Sequence, residues 1–179
     1  MKIIIGAGNT SQVGWRSYTE AQLDVTDARQ WAALFAPASL DAILAEHVWE
    51  HLTLPEAMNA TRNCFRHLRP GGHLRIAVPD GFHPDRQYRA WVEPVTGYNG
   101  TDHKVFYSYR MLGNLLRSAG FHIRLLEWCD ERGAFHRRAA DAADGDVWRR
   151  YGTAWSMLLS VVVGAPYVSL IADGVRPRG

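Results

Sequence analysis

Gly6 and Gly8 form a G-x-G turn directly after a short apolar run at residues 3–5, which is typical of a buried strand. Glycines at such a turn let the chain reverse sharply and let a ligand approach the backbone closely. The same spacing also occurs in plain tight turns. The glycines therefore need chemical partners elsewhere in the chain before they indicate a binding site.

Acidic side chains are candidates for those partners. Glu20 ends a second strand-like segment at residues 15–20, and Asp24 and Thr26 follow the start of a third, very short one at residues 23–25. A carboxylate at the end of the second strand can accept hydrogen bonds from both hydroxyls of a ribose, as in dinucleotide sites. Because ligands of open α/β sheets bind at the carboxyl ends of the strands, these positions together predict a nucleotide-type site.

A second pattern, H-x-x-E-H at residues 47–51, matches the zinc motif of one group of metalloproteases. His47 and His51 would share one face of a helix and could hold a metal there. The segment follows a buried strand immediately, however, and the sequence shows no third ligand. We therefore expect no stoichiometric zinc, and a local hydrogen-bonding role for Glu50 and His51.

A nicotinamide-dinucleotide site is an alternative interpretation of the same glycine turn. Such a site needs a G-x-G-x-x-G sequence that leads into a helix. No glycine occurs at residues 9–13, so the third glycine of that pattern is missing. We therefore expect no binding of NAD.

The elements that position these residues alternate between short strands and helices, which predicts a parallel sheet covered by helices. Asp27 is predicted to cap one helix toward Gln30, and Thr53 with Glu56 has the spacing of a capping box at the start of another. Further strands are predicted at residues 40–45, 73–79, 121–128 and 167–175, and a further helix at residues 109–119. Two long irregular segments remain, at residues 81–107 and 131–166.

The composition of the 179-residue chain is that of an ordinary globular protein, with 47% hydrophobic and 21% charged residues. The length predicts a single domain spanning residues 1–179. The formal net charge of +2 does not require a nucleic-acid partner, and we expect none. Cys64 and Cys129 lie far apart in the sequence and predict two buried thiols in a reducing compartment. We therefore expect a cytoplasmic protein.

An uncharged stretch at residues 151–172 is long enough to cross a bilayer. Gly164, Pro166 and three serines interrupt it, and its end has the pattern of a strand. We therefore expect no membrane span. A buried segment, or a surface covered by a second subunit in a homo-oligomer, explains the stretch better.

Three segments carry a resemblance to a known family. They are the G-A-G-N turn at residues 6–9, the E-H-x-x-E-H-L segment at residues 46–52 and the L-x-P-G-G-x-L segment at residues 68–74. With them the chain resembles the class I S-adenosylmethionine-dependent methyltransferases, and within these a compact bacterial subgroup. Nearly the whole chain takes part, because further similar stretches occur at residues 102–105, 118–121 and 169–173.

The resemblance implies an α/β, Rossmann-like methyltransferase fold, with a mostly parallel seven-stranded sheet whose last strand runs antiparallel beside the fifth. The predicted strands at residues 121–128 and 167–175 would be the neighbouring pair. It also implies a cofactor site, with S-adenosylmethionine held by Gly6, Ala7, Gly8, Asn9, Glu20, Asp24 and Val25, and with Glu46 and His47 beside its methionine end.

The chain departs from the family pattern at two places. Ile4 stands where the first strand of the family usually carries an acidic residue, which puts a contact to the methionine amino group in doubt. Only residues 9–14 separate Gly8 from Trp15, although a parallel crossover normally needs about a dozen residues or more. The first helix of the family is therefore nearly absent, or the second strand begins later than Trp15.

The function that the resemblance implies is methyl transfer from S-adenosylmethionine to a small-molecule acceptor or glycan precursor. The sulfonium already activates the methyl group, so the protein mainly aligns the acceptor and excludes water. If the acceptor must lose a proton, Asp80, His83 and His103 are the candidate bases. An acceptor pocket could be walled by the aromatic residues Trp91, Tyr98, Phe106 and Tyr107. The alternative is a non-catalytic S-adenosylmethionine-binding or scaffold protein with the same fold.

Overall fold

A computed structural model of the chain describes residues 1–94, 102–147 and 169–178. These residues form a seven-stranded sheet in the order β2-β1-β3-β4-β7-β5-β6. The strands are β1 (Lys2–Ile5), β2 (Trp15–Tyr18), β3 (Leu40–Glu46), β4 (Leu68–Pro79), β5 (His122–Cys129), β6 (Phe135–Arg137) and β7 (Ser169–Val175).

Each helix begins after a residue whose side chain caps it. The helices are α1 (Ala28–Leu34), α2 (Leu54–His67), α3 (Arg86–Val92) and α4 (Tyr109–Ser118), and a short 3₁₀ turn at Trp49–His51 connects β3 to α2. Helix α3 lies within residues 81–107, which the sequence predicted to be irregular. The predicted capping box of Thr53 and Glu56 is confirmed at the start of α2. Asp27 does cap α1, but it accepts from the backbone N–H of Arg29 instead of Gln30.

The topology confirms the α/β sheet that the resemblance implies. Strands β1 to β5 share one direction, and β7 runs antiparallel between β4 and β5. β2 begins at Trp15 and pairs in parallel with β1, with no helix between the two strands. The first helix of the family pattern is therefore absent at residues 6–14, which explains how so short a connection reaches the neighbouring strand.

The predicted third strand at residues 23–25 is wrong, and the three-residue strand β6 completes the count of seven. Leu23 and Val25 are both buried in the core, which produces the strand-like alternation. Their backbone, however, pairs with turns and side chains instead of a neighbouring strand. The Leu23 N–H donates to Thr19 O, and Val25 O accepts from the Trp31 indole at 3.0 Å.

The core lies on both faces of the sheet because side chains alternate along each strand. Ile3, Ile5 and Ile43 point toward α1, α2 and α4 in the larger cluster. Ile4 and Leu44 point to the other face, into a smaller cluster that also contains Val147. One face of the described sheet is thus covered by helices. Residues 140–147 cover part of the other face.

Asp173 joins three neighbouring strands on the face of the smaller cluster. It lies opposite Arg75 of β4 and opposite Arg124 of β5 in the strand register. Arg75 donates to both carboxylate oxygens of Asp173 at 2.8 and 2.9 Å, and Arg124 Nη2 donates to one of them at 2.6 Å. Burial alone would raise the pKa of Asp173, but the Arg75 guanidinium holds it below its usual range.

The uncharged stretch at residues 151–172 falls largely outside the described residues. Its last four residues belong to β7, as the strand pattern predicts. Among the described residues, no helix combines the length and the apolar character that a bilayer crossing requires. Both cysteines are free and buried, as predicted.

We predict that Asp173→Asn lowers the free energy of unfolding by about 3–5 kcal/mol, because it leaves Arg75 buried without a counter-charge. The same change in Asp41, a partly exposed partner of Arg69, should cost less than about 1 kcal/mol. Urea unfolding followed by circular dichroism measures both. Because the folded-state pKa of Asp173 is lowered, its contribution is present at neutral pH and is lost as the pH falls through that value. Equal losses in the two variants would contradict the prediction.

Candidate functional site

A cleft of about 790 Å³ opens at the carboxyl ends of β1, β2 and β3. This is the edge of the sheet at which open α/β folds bind ligands, and the volume suits a small molecule. Its lining consists of Gly6, Gly8, Thr19, Glu20, Ala21, Leu23, Asp24, Val25, Thr26, His47, Val48, His51, Leu52, Glu56, Asp102 and Lys104. The structure therefore brings together most of the residues that the sequence predicts for a nucleotide-type site.

The glycine turn forms one wall of the cleft. Gly6 has a φ of +60°, and a Cβ placed there would lie 2.4 Å from Val48 Cγ2. Gly8 has a φ of +51°, and no described atom lies within 4 Å of the place that its Cβ would occupy. Position 6 therefore needs glycine for packing. Position 8 is open toward the cleft and leaves the backbone accessible to a ligand.

Glu20 lies in a loop that turns hydrogen bonds hold in place. The Thr19 side chain and the Thr19 N–H both contact Gln22 Oε1, at 3.1 and 2.9 Å. Glu20 itself is exposed, and no other described group pairs with its carboxylate. The carboxylate is thus available to a ligand in the cleft.

Asp24 makes hydrogen bonds within the same loop. Its Oδ1 accepts from the N–H and the hydroxyl of Thr26 at 2.8 and 2.7 Å, which is an Asx turn. Val25 lies at the base of the cleft, and its carbonyl accepts from Asn63 of α2 at 3.0 Å. The loop is therefore anchored to the helical layer, which fixes the position of this wall.

Ala7 and Asn9 flank the glycines but do not line the cleft. Ala7 is buried in the smaller core cluster, and its N–H donates to Tyr18 O at 3.1 Å. Asn9 is exposed at the tip of the turn. Ala7 therefore joins the turn to β2, and a ligand would meet the backbone on either side of it.

His47 stands at the opposite wall, one residue after β3 ends at Glu46. It has a φ of +54°, an uncommon conformation for a residue with a side chain. Its N–H donates to Ala77 O, and its Nδ1 lies 2.7 Å from Glu50 Oε1. Glu46 is half-buried and does not line the cleft. Of the two residues expected near the methionine end, His47 is the one that the cleft exposes.

Asp80 and His83 lie away from the cleft. Asp80 is fully buried, and its carboxylate accepts from the N–H groups of Phe82 and Cys129 at 2.9 and 2.6 Å. Burial raises the pKa of Asp80, and these two hydrogen bonds oppose the shift. His83 is also buried, and it accepts from the Asp85 N–H at 3.2 Å. In the described structure both side chains hold backbone in place.

His103 is the one candidate base beside the cleft. Its ring meets the ring of His51 edge to face at 4.9 Å, and His51 lines the cleft. Its Nδ1 lies 2.8 Å from Val92 O at the end of α3. The described segment that precedes α4 therefore lies beside the cleft.

The aromatic residues expected around an acceptor differ in their surroundings. Tyr107 is fully buried, and burial, together with the nearby Glu50 carboxylate, raises its pKa. Trp91 is exposed on α3 and Phe106 is half-buried. Tyr98 lies outside the described residues. None of the three described aromatic residues lines the cleft.

Lys104 and Asp102 line the cleft although sequence reasoning assigned them no role. The Lys104 ammonium lies 3.5 Å from Glu56 Oε2, and Asp102 lies against His51. Both belong to a stretch that carries the family resemblance, at residues 102–105. That resemblance was the available signal, because the polar spacing of the segment alone indicates no ligand.

The family model described as a methyltransferase domain matches residues 9–126, which is more than half of the chain. No curated protein matches the chain in sequence.

Three solved structures with the same fold are distant from this chain in sequence. An S-adenosylmethionine-dependent methyltransferase from Archaeoglobus fulgidus is 12% identical with a TM-score of 0.54, over 99% of this chain and 85% of that one. One from Mesorhizobium loti is 13% identical with a TM-score of 0.56, over 98% and 90%. A complex of the Trm112 methyltransferase activator with a methyltransferase from Haloferax volcanii is 15% identical with a TM-score of 0.56, over 99% of this chain and 82% of that one. The chain therefore belongs to the methyltransferase domain family and has the fold of S-adenosylmethionine-dependent methyltransferases.

Proposed function

We propose that the chain binds S-adenosylmethionine in the cleft and transfers its methyl group to a small-molecule acceptor or glycan precursor. One observation carries the proposal. The open backbone at Gly8, the carboxylate of Glu20 and the residue His47 line one cleft at the carboxyl ends of the parallel strands. A ligand with a ribose and a charged tail matches that arrangement.

Each part of the cofactor has a candidate contact. Glu20 would accept hydrogen bonds from the ribose hydroxyls, and the loop of Asp24 and Val25 would border the adenine. The backbone from Gly6 to Asn9, with Ala7 holding it against β2, would pass beneath the methionine portion. His47, and Glu46 behind it, would close the opposite side. Ile4 is buried in the smaller core cluster, so no acidic side chain is available there.

Methyl transfer needs little chemistry from the protein. A lone pair of the acceptor attacks the methyl carbon, the carbon–sulfur bond breaks, and the sulfur keeps its electron pair as S-adenosylhomocysteine forms. If the attacking atom carries a proton, a base or water takes it. His103 is the candidate base whose ring adjoins a cleft residue, whereas Asp80 and His83 serve the backbone. The protein's main contribution is alignment of the two ligands and exclusion of water.

The acceptor side of the cleft lies toward the segment around His51, Asp102 and Lys104. A large acceptor or a second polypeptide could complete that side, and one structure with the same fold is a complex with the Trm112 activator. A protein partner of this kind, or a second copy of the chain, is part of the proposal. The alternative of a non-catalytic S-adenosylmethionine-binding protein also stays open, because binding residues alone do not demonstrate turnover.

The first test is ligand choice. We expect purified protein to bind S-adenosylmethionine and S-adenosylhomocysteine in the micromolar range and to show no heat of binding with NAD. Isothermal titration calorimetry measures all three. Binding of NAD without any response to S-adenosylhomocysteine would overturn the proposal. Binding without methyl transfer to any acceptor in a panel of small molecules and glycan precursors would favour the non-catalytic alternative.

Gly8→Val should abolish binding of S-adenosylhomocysteine while the protein still folds. Gly14→Val is the matched control, because Gly14 also has a positive φ and open space at its Cβ position but does not line this cleft. Both variants should lose a similar amount of thermal stability from backbone strain. Calorimetry and thermal unfolding separate the two effects. Equal loss of ligand affinity in both variants would mean that position 8 acts only through stability.

Glu20→Ala should weaken binding of S-adenosylhomocysteine by about 1–3 kcal/mol, the scale of a lost hydrogen bond to a charged group. Glu131→Ala is the control, since Glu131 is an exposed glutamate outside the cleft. The same titration measures both variants. An unchanged affinity in Glu20→Ala would show that the ribose does not bind at this carboxylate.

A further inference from the structure

Three side chains of types that bind metal ions lie close together beside the cleft. One ligand atom each from Glu50, His51 and His103 lies within 4.8 Å of the other two. Glu50 and His51 belong to the 3₁₀ turn Trp49–His51, and His103 approaches from the segment before α4. The N–H groups of Lys104 and Val105 donate to Glu50 O at 2.6 and 3.2 Å, which fastens the two segments together.

Glu50 has an unsatisfied oxygen in this cluster. The residue is 1% exposed, and its Oε1 is 2.7 Å from His47 Nδ1. Its Oε2 is buried and has no hydrogen-bond partner among the described residues. A buried carboxylate oxygen without a partner is costly, so an additional positively charged group at Oε2 would stabilise this arrangement.

The Nδ1 atom of His103 is directed to a backbone carbonyl, and the Nδ1 atom of His51 lies beside a carboxylate. His103 Nδ1 donates to Val92 O at 2.8 Å, so the lone pair of its neutral ring is on Nε2. His51 Nδ1 lies 2.5 Å from Asp102 Oδ1. Histidines that bind metals usually have this pattern, with the second nitrogen held by a carboxylate or a backbone carbonyl. The surroundings of His103 are thus those of a metal ligand, whereas His51 Nδ1 lies close to the Asp102 carboxylate but makes no hydrogen bond among the described residues.

We propose that Glu50, His51 and His103 bind a divalent transition-metal ion such as Zn²⁺. Two imidazoles and one carboxylate are a ligand set that zinc accepts, and three protein ligands leave a position open. His51 and Asp102 line the cleft, so that position is near the acceptor side. A nitrogen or oxygen donor of the acceptor would occupy it, a role that rests on the proposed function. The metal site itself does not depend on it. A His103 ring that binds the metal through Nε2 has no free lone pair, so in the metal-bound protein water, not His103, takes any proton that the acceptor loses.

The proposal revises the expectation of no stoichiometric zinc from the sequence. That expectation considered His47 and His51 as a pair on one helix face and found no third ligand. In the structure His47 instead orients the carboxylate of Glu50, and His103 supplies the third ligand from more than fifty residues away in the sequence. Edge-to-face packing of His51 and His103 is the alternative explanation, but it leaves Glu50 Oε2 without a hydrogen-bond partner in the part of the chain that the structure describes.

The test uses tag-free full-length protein that a chelator has freed of metal. Zn²⁺ alone is titrated in competition with a chromophoric chelator, and bound zinc is counted by elemental analysis. We expect one zinc per chain, and at least ten-fold weaker binding in both His51→Ala and His103→Ala. His122→Ala, at an exposed histidine of β5, should bind zinc as the unmodified protein does. Asp102→Asn should weaken binding by about ten-fold, the lower end for a residue that orients a ligand.

The outcomes separate the metal site from the proposed function. Less than half an equivalent of zinc, or equal affinity in His103→Ala and His122→Ala, would overturn the metal site. S-adenosylhomocysteine is titrated in parallel into the metal-free protein, and its binding tests the cofactor site alone. Glu50→Gln keeps the shape of Glu50 but removes its charge, and should also lose zinc. Thermal unfolding of Glu50→Gln shows whether this variant folds. If it does not fold, His51→Ala and His103→Ala alone decide whether the metal site exists.

Discussion

The shape of the cleft depends on the left-handed backbone conformations of Gly6 and His47. β1 and β3 are neighbours, and one residue beyond the end of each the chain turns out of the sheet with a positive φ. Val48 then fills the space that a side chain at position 6 would need. The two connections therefore leave the sheet side by side, and both contribute residues to the lining of the cleft.

The sheet that supports this edge depends on a different interaction. Asp173 binds guanidinium groups on both sides, so the antiparallel strand β7 is fixed between β4 and β5 in one register. A shift by one residue would leave buried charges without partners. This network lies on the sheet face of the smaller cluster, and none of its three residues lines the cleft. The residues that fix the strand order are therefore distinct from the residues that line the cleft.

Two buried acids illustrate how structure distinguishes stability from chemistry. Each oxygen of Asp80 accepts from a backbone N–H, so Asp80 joins the segment after β4 to the end of β5. Glu50 has one oxygen on His47 and the other without a partner among the described residues, close to two histidines. Each carboxylate oxygen of Asp80 thus has a hydrogen-bond partner, whereas Oε2 of Glu50 has none among the described residues. Buried polar atoms are rarely left without a partner, and this is one of the observations behind the proposed metal site.

The sequence by itself determined the features that depend on neighbouring residues. The strand before Gly6, the capping box of Thr53 and the resemblance of residues 46–52 to methyltransferases are all readable locally, and they predict the sheet and its binding edge. Only the tertiary structure decided what depends on distant segments. Residues 23–25 have a strand pattern, yet no neighbouring strand was available to pair with them. His103 is near His51 only because the segment before α4 is bound to the turn that follows β3, through the Lys104 and Val105 N–H groups and Glu50 O. Periodicity records which side chains are buried, whereas backbone partners and clusters of side chains depend on how remote segments meet.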